Sequence, residues 1–298
     1  MIRTNRYNIP KVFERFEKAN EHTTGGADIS VSALIDAPQI AHLSRLHEAE
    51  LTEDVGDGIL RLIGTAIHLV LEEGCEASDI VEERYHAEVG GMKISGQVDR
   101  LELVNEVFLG DGESHDRALT TYKLQDWKTT ACKTMAHNPE GKESWINQVN
   151  VYNFLAQYNG VEIDRLEIVA IFRDWAKAGA RGQENYPECA VGVIPITMWP
   201  IEETKKYIEW RVSLHSATVP AECTLEDKWQ SKPTYAVVKP GNKRATKVFN
   251  SEFEAQSFIN EKMLLAEIEE RPGRAMRCEA YCPVNQFCDQ YKRESGNW

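Results

Sequence analysis

Apolar positions along this 298-residue chain follow a helical period in some stretches and alternate in others. Residues 1–22 read as an amphipathic helical arm, 22–28 as a loop, and 30–51 keep a helical period with Ser32 or Asp36 as caps. Residues 60–74 predict a stronger helix: Leu60, Ile63, Ile67, Val70 and Leu71 recur on one side and Gly74 is a suitable stop. Strand character follows, with Tyr85, Ala87 and Val89 alternating before the Gly90-Gly91 turn and Met92, Ile94, Gly96 and Val98 after it. Beyond Val98 the apolar parity shifts to Leu101 and Leu103, which predicts a bulge at 96–99. A polar loop at 105–117 is expected, then a strand at 120–129 and a helix at 145–158. Buried strands at 166–175 and 189–196 and a helix at 201–216 complete this region. The order predicts an α/β core with helices packed on a mixed sheet. From about residue 220 the texture changes to a short hairpin (235–238 and 247–249, turning at Pro240-Gly241-Asn242), a helix at 251–270 and a Cys-rich tail. The expected division is a helical arm at 1–50, a core at 51–219 and a small module at 220–298.

Composition narrows the class. At 42% hydrophobic and 27% charged, with seven Trp and ten Tyr, the chain is expected to fold and not to be disordered or fibrous. No apolar run is long enough to span a bilayer, and the first residues lack the apolar stretch of a secretory leader, so no membrane association and a cytoplasmic location are expected. A net charge of −13 excludes a protein that coats nucleic acid by bulk charge. It leaves room for a nucleic-acid enzyme with a local basic path.

The chemistry concentrates around two acidic strands. Asp126 and Lys128 in YKLQDWKTT are two apart, so strand geometry puts both on one sheet face. Asp99 in GQVDRLE lies on the neighbouring strand beside the expected bulge. Two carboxylates on adjacent strands can hold a divalent cation, and a nearby lysine can orient the attacking water. An Asp-x-Lys triplet alone arises about once by chance in a chain of this size, and its ordinary role is a strand salt bridge. Gly64, His68 and Glu72 share one stripe of the preceding helix, and Gln148 and Tyr152 share a face of the following one.

Taken in order, Gly64-x-x-x-His68, Gly96-x-x-Asp99, Asp126-x-Lys128 and Gln148-x-x-x-Tyr152 resemble the PD-(D/E)XK nucleases, in particular the RecB-like branch that includes the CRISPR-associated adaptation nucleases. The resemblance implies a restriction-endonuclease-like core and metal-dependent hydrolysis of DNA phosphodiester bonds. His68, Asp99, Asp126 and the Trp127 carbonyl would ligate Mg²⁺ or Mn²⁺, and Lys128 would activate or position the water. Gln148 and Tyr152 would steady Lys128 and contact the DNA backbone, with Glu72 an uncertain member of the set. Exonucleolytic action on single-stranded or free DNA ends, in recombination, repair or replication, is the expected activity. The compact texture resembles stand-alone phage nucleases, whose location would be the host cytoplasm. The rival readings are a non-catalytic nucleic-acid-binding adaptor that keeps the fold, and a nuclease acting on RNA or flaps.

Seven Cys in a chain without an export signal favour reduced thiols or metal ligation over disulfides. Cys278, Cys282 and Cys288 fall within eleven residues, in a turn-rich stretch suited to a soft-ligand site. The related nucleases join such a triplet to an upstream Cys-Pro cysteine around a [4Fe-4S] cluster. Here Ala37-Pro38 stands in the matching place, and Cys223, which opens the same module, is the best substitute. Zn²⁺ on the same four thiolates is the alternative. Finally, residues 228–247 carry six basic residues and no acidic one. Lys228, Trp229, Lys232, Tyr235, Lys239, Lys243, Arg244 and Lys247 are therefore the expected DNA contacts, with Arg271, Arg274 and Arg277 beyond them.

Overall fold

The computed structural model describes residues 2–19, 23–109, 117–181 and 186–296. Two compact units emerge, Met1–Asp36 with Thr52–Pro220, and Ala37–Leu51 with Ala221–Trp298. Among the described residues no helix is long and apolar enough to cross a membrane.

The first unit opens with β1 (Ile2–Thr4), α1 (Lys11–Ala19), β2 (Ile29–Ser30) and the short α2 (Val31–Leu34). The expected arm is therefore only partly helical. The expected helix over 30–51 is also broken, because Pro38 disfavours helical geometry at Ala37, and α3 (Pro38–Leu46) starts afresh in the second unit. The first unit resumes with β3 (Thr52–Asp54), which pairs with β1, and α4 (Ile59–Glu72). Then come β4 (Ile80–Val89), β5 (Met92–Leu109), β6 (Arg117–Thr130), α5 (Cys132–His137), α6 (Glu143–Tyr158), β7 (Glu162–Phe172), β8 (Val191–Ile196) and α7 (Ile201–Ser216). β5 extends well into the expected 105–117 loop, of which 110–116 lie outside the described residues.

These elements form a mixed α/β layer structure on a six-stranded sheet. β6 and β7 run parallel, while β4–β5, β5–β6 and β7–β8 are antiparallel. α6 is the buried helix, with every residue from Val149 to Ala156 buried. Leu124, Leu155, Leu166, Ile168 and Ile208 are inaccessible to solvent, and truncating one such leucine to alanine costs about 2–5 kcal/mol. From α7, Arg211 Nε (2.8 Å) and His215 Nε2 (2.9 Å) both bond the Leu34 carbonyl at the end of α2.

The long strand β5 makes the notch that matters. Ile94 and Leu101 each pair with β4 on one edge, so β2 (at Ile94 and Ser95) and β6 (from Arg100) must share the other. Residues 96–99 on that edge take neither partner. The parity shift expected as a bulge happens here without an inserted residue, since the β4–β5 register is continuous from Val89↔Met92 to Ile80↔Leu101. The irregularity is Glu82, opposite Asp99, which skips its pairing and turns to φ +50°. A single residue in the left-handed region re-aims the strand where an insertion was expected.

The second unit contains α3, then β9 (Thr234–Val238), β10 (Lys247–Phe249), α8 (Glu252–Glu261), β11 (Glu267–Arg271), α9 (Met276–Ala280) and α10 (Asp289–Ser295). The helix expected over 251–270 ends at Glu261, and its last residues form β11, which pairs with β9 opposite β10.

Candidate metal-binding cleft and thiol pocket

Four motif segments and β4 converge on the notch. One cleft is lined by His68 from α4, Glu82 and Arg84 from β4, Gly96, Gln97 and Asp99 from β5, Asp126, Trp127 and Lys128 from β6, and Gln148 and Tyr152 from α6. The β5–β6 ladder ends at Arg100↔Gln125, one residue short of Asp99 and Asp126. Asp99 Oδ2 then accepts the Trp127 amide at 2.5 Å, a side-chain substitute for the missing ladder bond. Gly96 has a steric reason: a Cβ there would come within 2.6 Å of the Tyr152 ring and 2.9 Å of Val31.

Lys128 Nζ donates to Asp126 Oδ1 (3.1 Å) and Gln148 Oε1 (2.9 Å), and Gln148 Nε2 donates to Tyr152 Oη (2.7 Å). This chain holds the ammonium in one place at the mouth of the cleft. On the other side, His68 Nε2 lies 3.3 Å from the Trp127 carbonyl, while His68 Nδ1 is 3.2 Å from Glu82 Oε1 and 3.6 Å from Asp99 Oδ1. Among the described residues, His68, Glu82 and Asp99 are the group of three whose ligand atoms lie mutually within 4.8 Å. Glu82, which the sequence did not single out, stands with His68 and Asp99 in that group, while Asp126 lines the same cleft and is engaged by Lys128. Nothing in the alternation of β4 distinguishes Glu82 from Glu83, and the backbone turn that aims it is visible only in the fold. Glu72 lines the adjoining part of the cleft with Gly64, Thr65 and Leu69.

The electrostatics follow from burial. Desolvation, and then the Asp126 charge, push Asp99 up to about 7, against the pull of His68 and Lys128. Burial opposes charging His68, but its bond to Glu82 and the Asp99 charge outweigh this and raise it above its usual value. Burial likewise raises the Tyr152 phenol, which stays a neutral donor or acceptor. One imidazole and several carboxylates crowded in a half-open cleft match a hard divalent cation, with the nitrogen favouring Mn²⁺.

In the second unit, Cys223, Cys278, Cys282 and Cys288 line a single enclosed pocket with Ile40, Leu43 and Val284. Gln290 clamps Cys223 through both sides of its amide, accepting from the Cys223 N–H (2.8 Å) and donating to its carbonyl (2.9 Å). Burial, then Asp227 and the other three thiols, push Cys223 up to about 12. No three of these thiols lie mutually within 4.8 Å, whereas thiolates on one zinc at about 2.3 Å stand ~3.8 Å apart. Cys75, Cys132 and Cys189 take no part in the pocket lining.

The expected DNA contacts divide. Lys228 is buried, and its Nζ holds both oxygens of Glu294 at 2.8 Å, so it supports the thiol pocket and is not a surface cation. Lys232, Lys239, Lys243, Arg244 and Lys247 are exposed, but Lys247 lies over the Phe249 and Phe258 rings. Tyr235 is half-buried on β9. Acidic Glu267, Glu269 and Glu270 of β11 pair alongside β9, so the basic run is locally offset. Arg271 and Arg274 pair with Glu269 and Glu279.

Comparison with protein-family models gives no match, and comparison with curated proteins gives none either. Among solved structures, the crystal structure of SSO0001 is similar over 67% of this chain and 82% of that one, at 15% identity and a TM-score of 0.43.

Proposed function

We propose that this chain is a Mg²⁺- or Mn²⁺-dependent deoxyribonuclease of the PD-(D/E)XK type, acting on single-stranded DNA or free DNA ends. The observation that carries the reading is the convergence of His68, Glu82, Asp99, Asp126, Lys128, Gln148 and Tyr152 on one cleft at the point where β5 and β6 part. His68, Glu82 and Asp99 would hold the cation, with Asp126 close to Asp99 in the same cleft. A divalent cation there supplies charge neutralisation of the phosphodiester and lowers the pKa of an attacking water.

The residues of the chain do the rest. Asp126 and Gln148 fix the Lys128 ammonium, which orients the water and meets negative charge developing on the phosphorus oxygens. Tyr152, locked by Gln148 and by the absence of a side chain at Gly96, offers its hydroxyl toward the DNA backbone. Arg84 lines the same cleft and is bonded to Gln97 Oε1 (2.5 Å) and Ser95 Oγ (3.3 Å), a second cation for phosphate.

The second unit is proposed to hold a [4Fe-4S] cluster on Cys223, Cys278, Cys282 and Cys288, a reading supported by the four thiols lining one pocket. A brown protein whose visible absorbance is bleached by dithionite is the expected result. A colourless protein with one equivalent of zinc would overturn that assignment. Cleavage is tested with end-labelled linear and circular DNA in Mn²⁺. Loss of label from linear single strands is expected, and an inert wild type would favour a non-catalytic binding role.

A further inference from the structure

Trp229 occupies a backbone position made for glycine. Gln230 N–H bonds the Leu225 carbonyl (2.9 Å) and Trp229 N–H bonds Glu226 (2.9 Å), the pair of contacts that ends a helical turn with a left-handed residue. That residue is Trp229, at φ +51°. Glycine fills such a position without steric cost, and a bulky side chain there is an outlier. The surrounding backbone holds it firmly. Arg277 N–H bonds the Lys228 carbonyl (3.1 Å), Gln230 bridges Ala275, and Ser231 N–H bonds the Arg274 carbonyl (3.0 Å). Gly273 passes so close that a Cβ would sit 1.9 Å from the Ser231 carbonyl oxygen.

The strained residue is not a core residue. Trp229 is 51% exposed, and the neighbouring Tyr281 is 67% exposed. Their ring centroids are 5.4 Å apart at an interplanar angle of 51°, a wedge and not a closed stack. Arg277, one helical turn before Tyr281, places its guanidinium 5.4 Å from the indole centroid. Strain concentrated in an exposed aromatic beside a second aromatic and a cation is the signature of a ligand-facing position. The chemistry that fits is a flat, electron-rich ring carried on an anionic backbone.

We propose that Trp229, Tyr281 and Arg277 form a stacking site for one unpaired base of single-stranded DNA. The proposal deepens the nuclease reading by naming the strand state of its substrate, but it concerns binding alone and is testable without cleavage. Full-length protein, with its metal site emptied by EDTA, is titrated into a fluorescently labelled thymidine oligonucleotide, an abasic strand of equal length, and a duplex. Trp229→Gly is expected to lower affinity for the thymidine strand about tenfold, within the range of one lost stacking contact. It is expected to leave abasic and duplex binding unchanged, and to keep or raise the Tm because glycine suits the position. Tyr281→Ala, which leaves the turn untouched, is expected to lower thymidine-strand affinity in the same direction. The loss should be equal at low and moderate salt, since stacking releases no counterions. Unchanged thymidine affinity in both variants overturns the proposal. Equal losses on thymidine and abasic strands with a lowered Tm also overturn it, because Trp229 would then be a structural residue. An inactive wild type that still shows the base-dependent loss would sink the nuclease reading and leave this site standing.

Discussion

The cleft in the first unit is lined by oxygen and nitrogen and stands open. The pocket in the second is lined by sulfur and closed over by Ile40, Leu43 and Val284. Each gathers ligands from distant segments, but the physical consequences are opposite. In the cleft, burial and the Asp126 charge disfavour an ionised Asp99, so this site works against the stability of the folded chain, and the proposed cation would relieve that cost. In the pocket, the lining joins α3 and the chain near residue 223 to the 278–288 segment, so the proposed cluster would add to folding. One site is expected to matter for turnover and the other for integrity.

The sharpest way to break this contrast is to remove the core of each site. Lys128→Ala is expected to lower cleavage by about 10²–10³-fold or more while Tm changes little. Cys278→Ser is expected to do the reverse first, with loss of the visible chromophore and a protease-sensitive second unit. An active-site substitution that unfolds the protein, or a cysteine substitution that leaves its colour and protease resistance intact, would erase the distinction. Glu82→Gln sharpens it further. Mn²⁺ affinity, measured by calorimetry, is expected to fall about 10–100-fold if Glu82 holds the ion or orients His68.

A pH series makes a smaller and signed prediction. Asp99 ionises near 4 in the unfolded chain and at about 7 in the folded one, so the unfolded state releases its proton first. Metal-free stability should fall as pH rises from about 4 to about 7. His68, raised above its ordinary value, contributes stability that is likewise lost as pH climbs through its folded pKa. Asp99→Asn should flatten the Asp99 part of this slope and raise the metal-free Tm at pH 7 by a few degrees, at about 2–4 °C per kcal/mol for a chain of this order of size. Mn²⁺ should reverse the slope in the wild type only. The smallest effect is expected at exposed Cys189, where serine should change neither colour nor Tm.

What was legible in the sequence depended on the range of the signal. His68, Asp99, Asp126, Lys128, Gln148 and Tyr152 stand at spacings set by local helix and strand periods, and the structure gathers all six around one cleft. The long elements α4, α6, β7 and α7 were readable for the same reason. The place of Glu82 in the cleft was not, because it comes from its own left-handed backbone opposite Asp99, and acidic residues on a strand otherwise read as surface. β2, two residues long, exists through pairing with Ile94 and Ser95, some sixty-five positions away. β11 carries four polar residues in five and is a strand because β9 offers it an edge. Lys228 shows the converse: its composition suggested a phosphate contact, and the fold gives it Glu294. The thiol pocket lay between, since the triplet was local and its fourth member at Cys223 needed the chain to return.

The proposed metal-dependent phosphodiesterase site in the notch between β2 and β6 is tested most directly by one assay. Purified full-length protein and its Asp126→Ala variant are incubated with end-labelled single-stranded DNA, with and without Mn²⁺. Cleavage by the wild type in Mn²⁺ alone is expected, with none after chelation and a loss of at least about 10²-fold in the variant. Equal activity in the two proteins, or no cleavage by either, would contradict it.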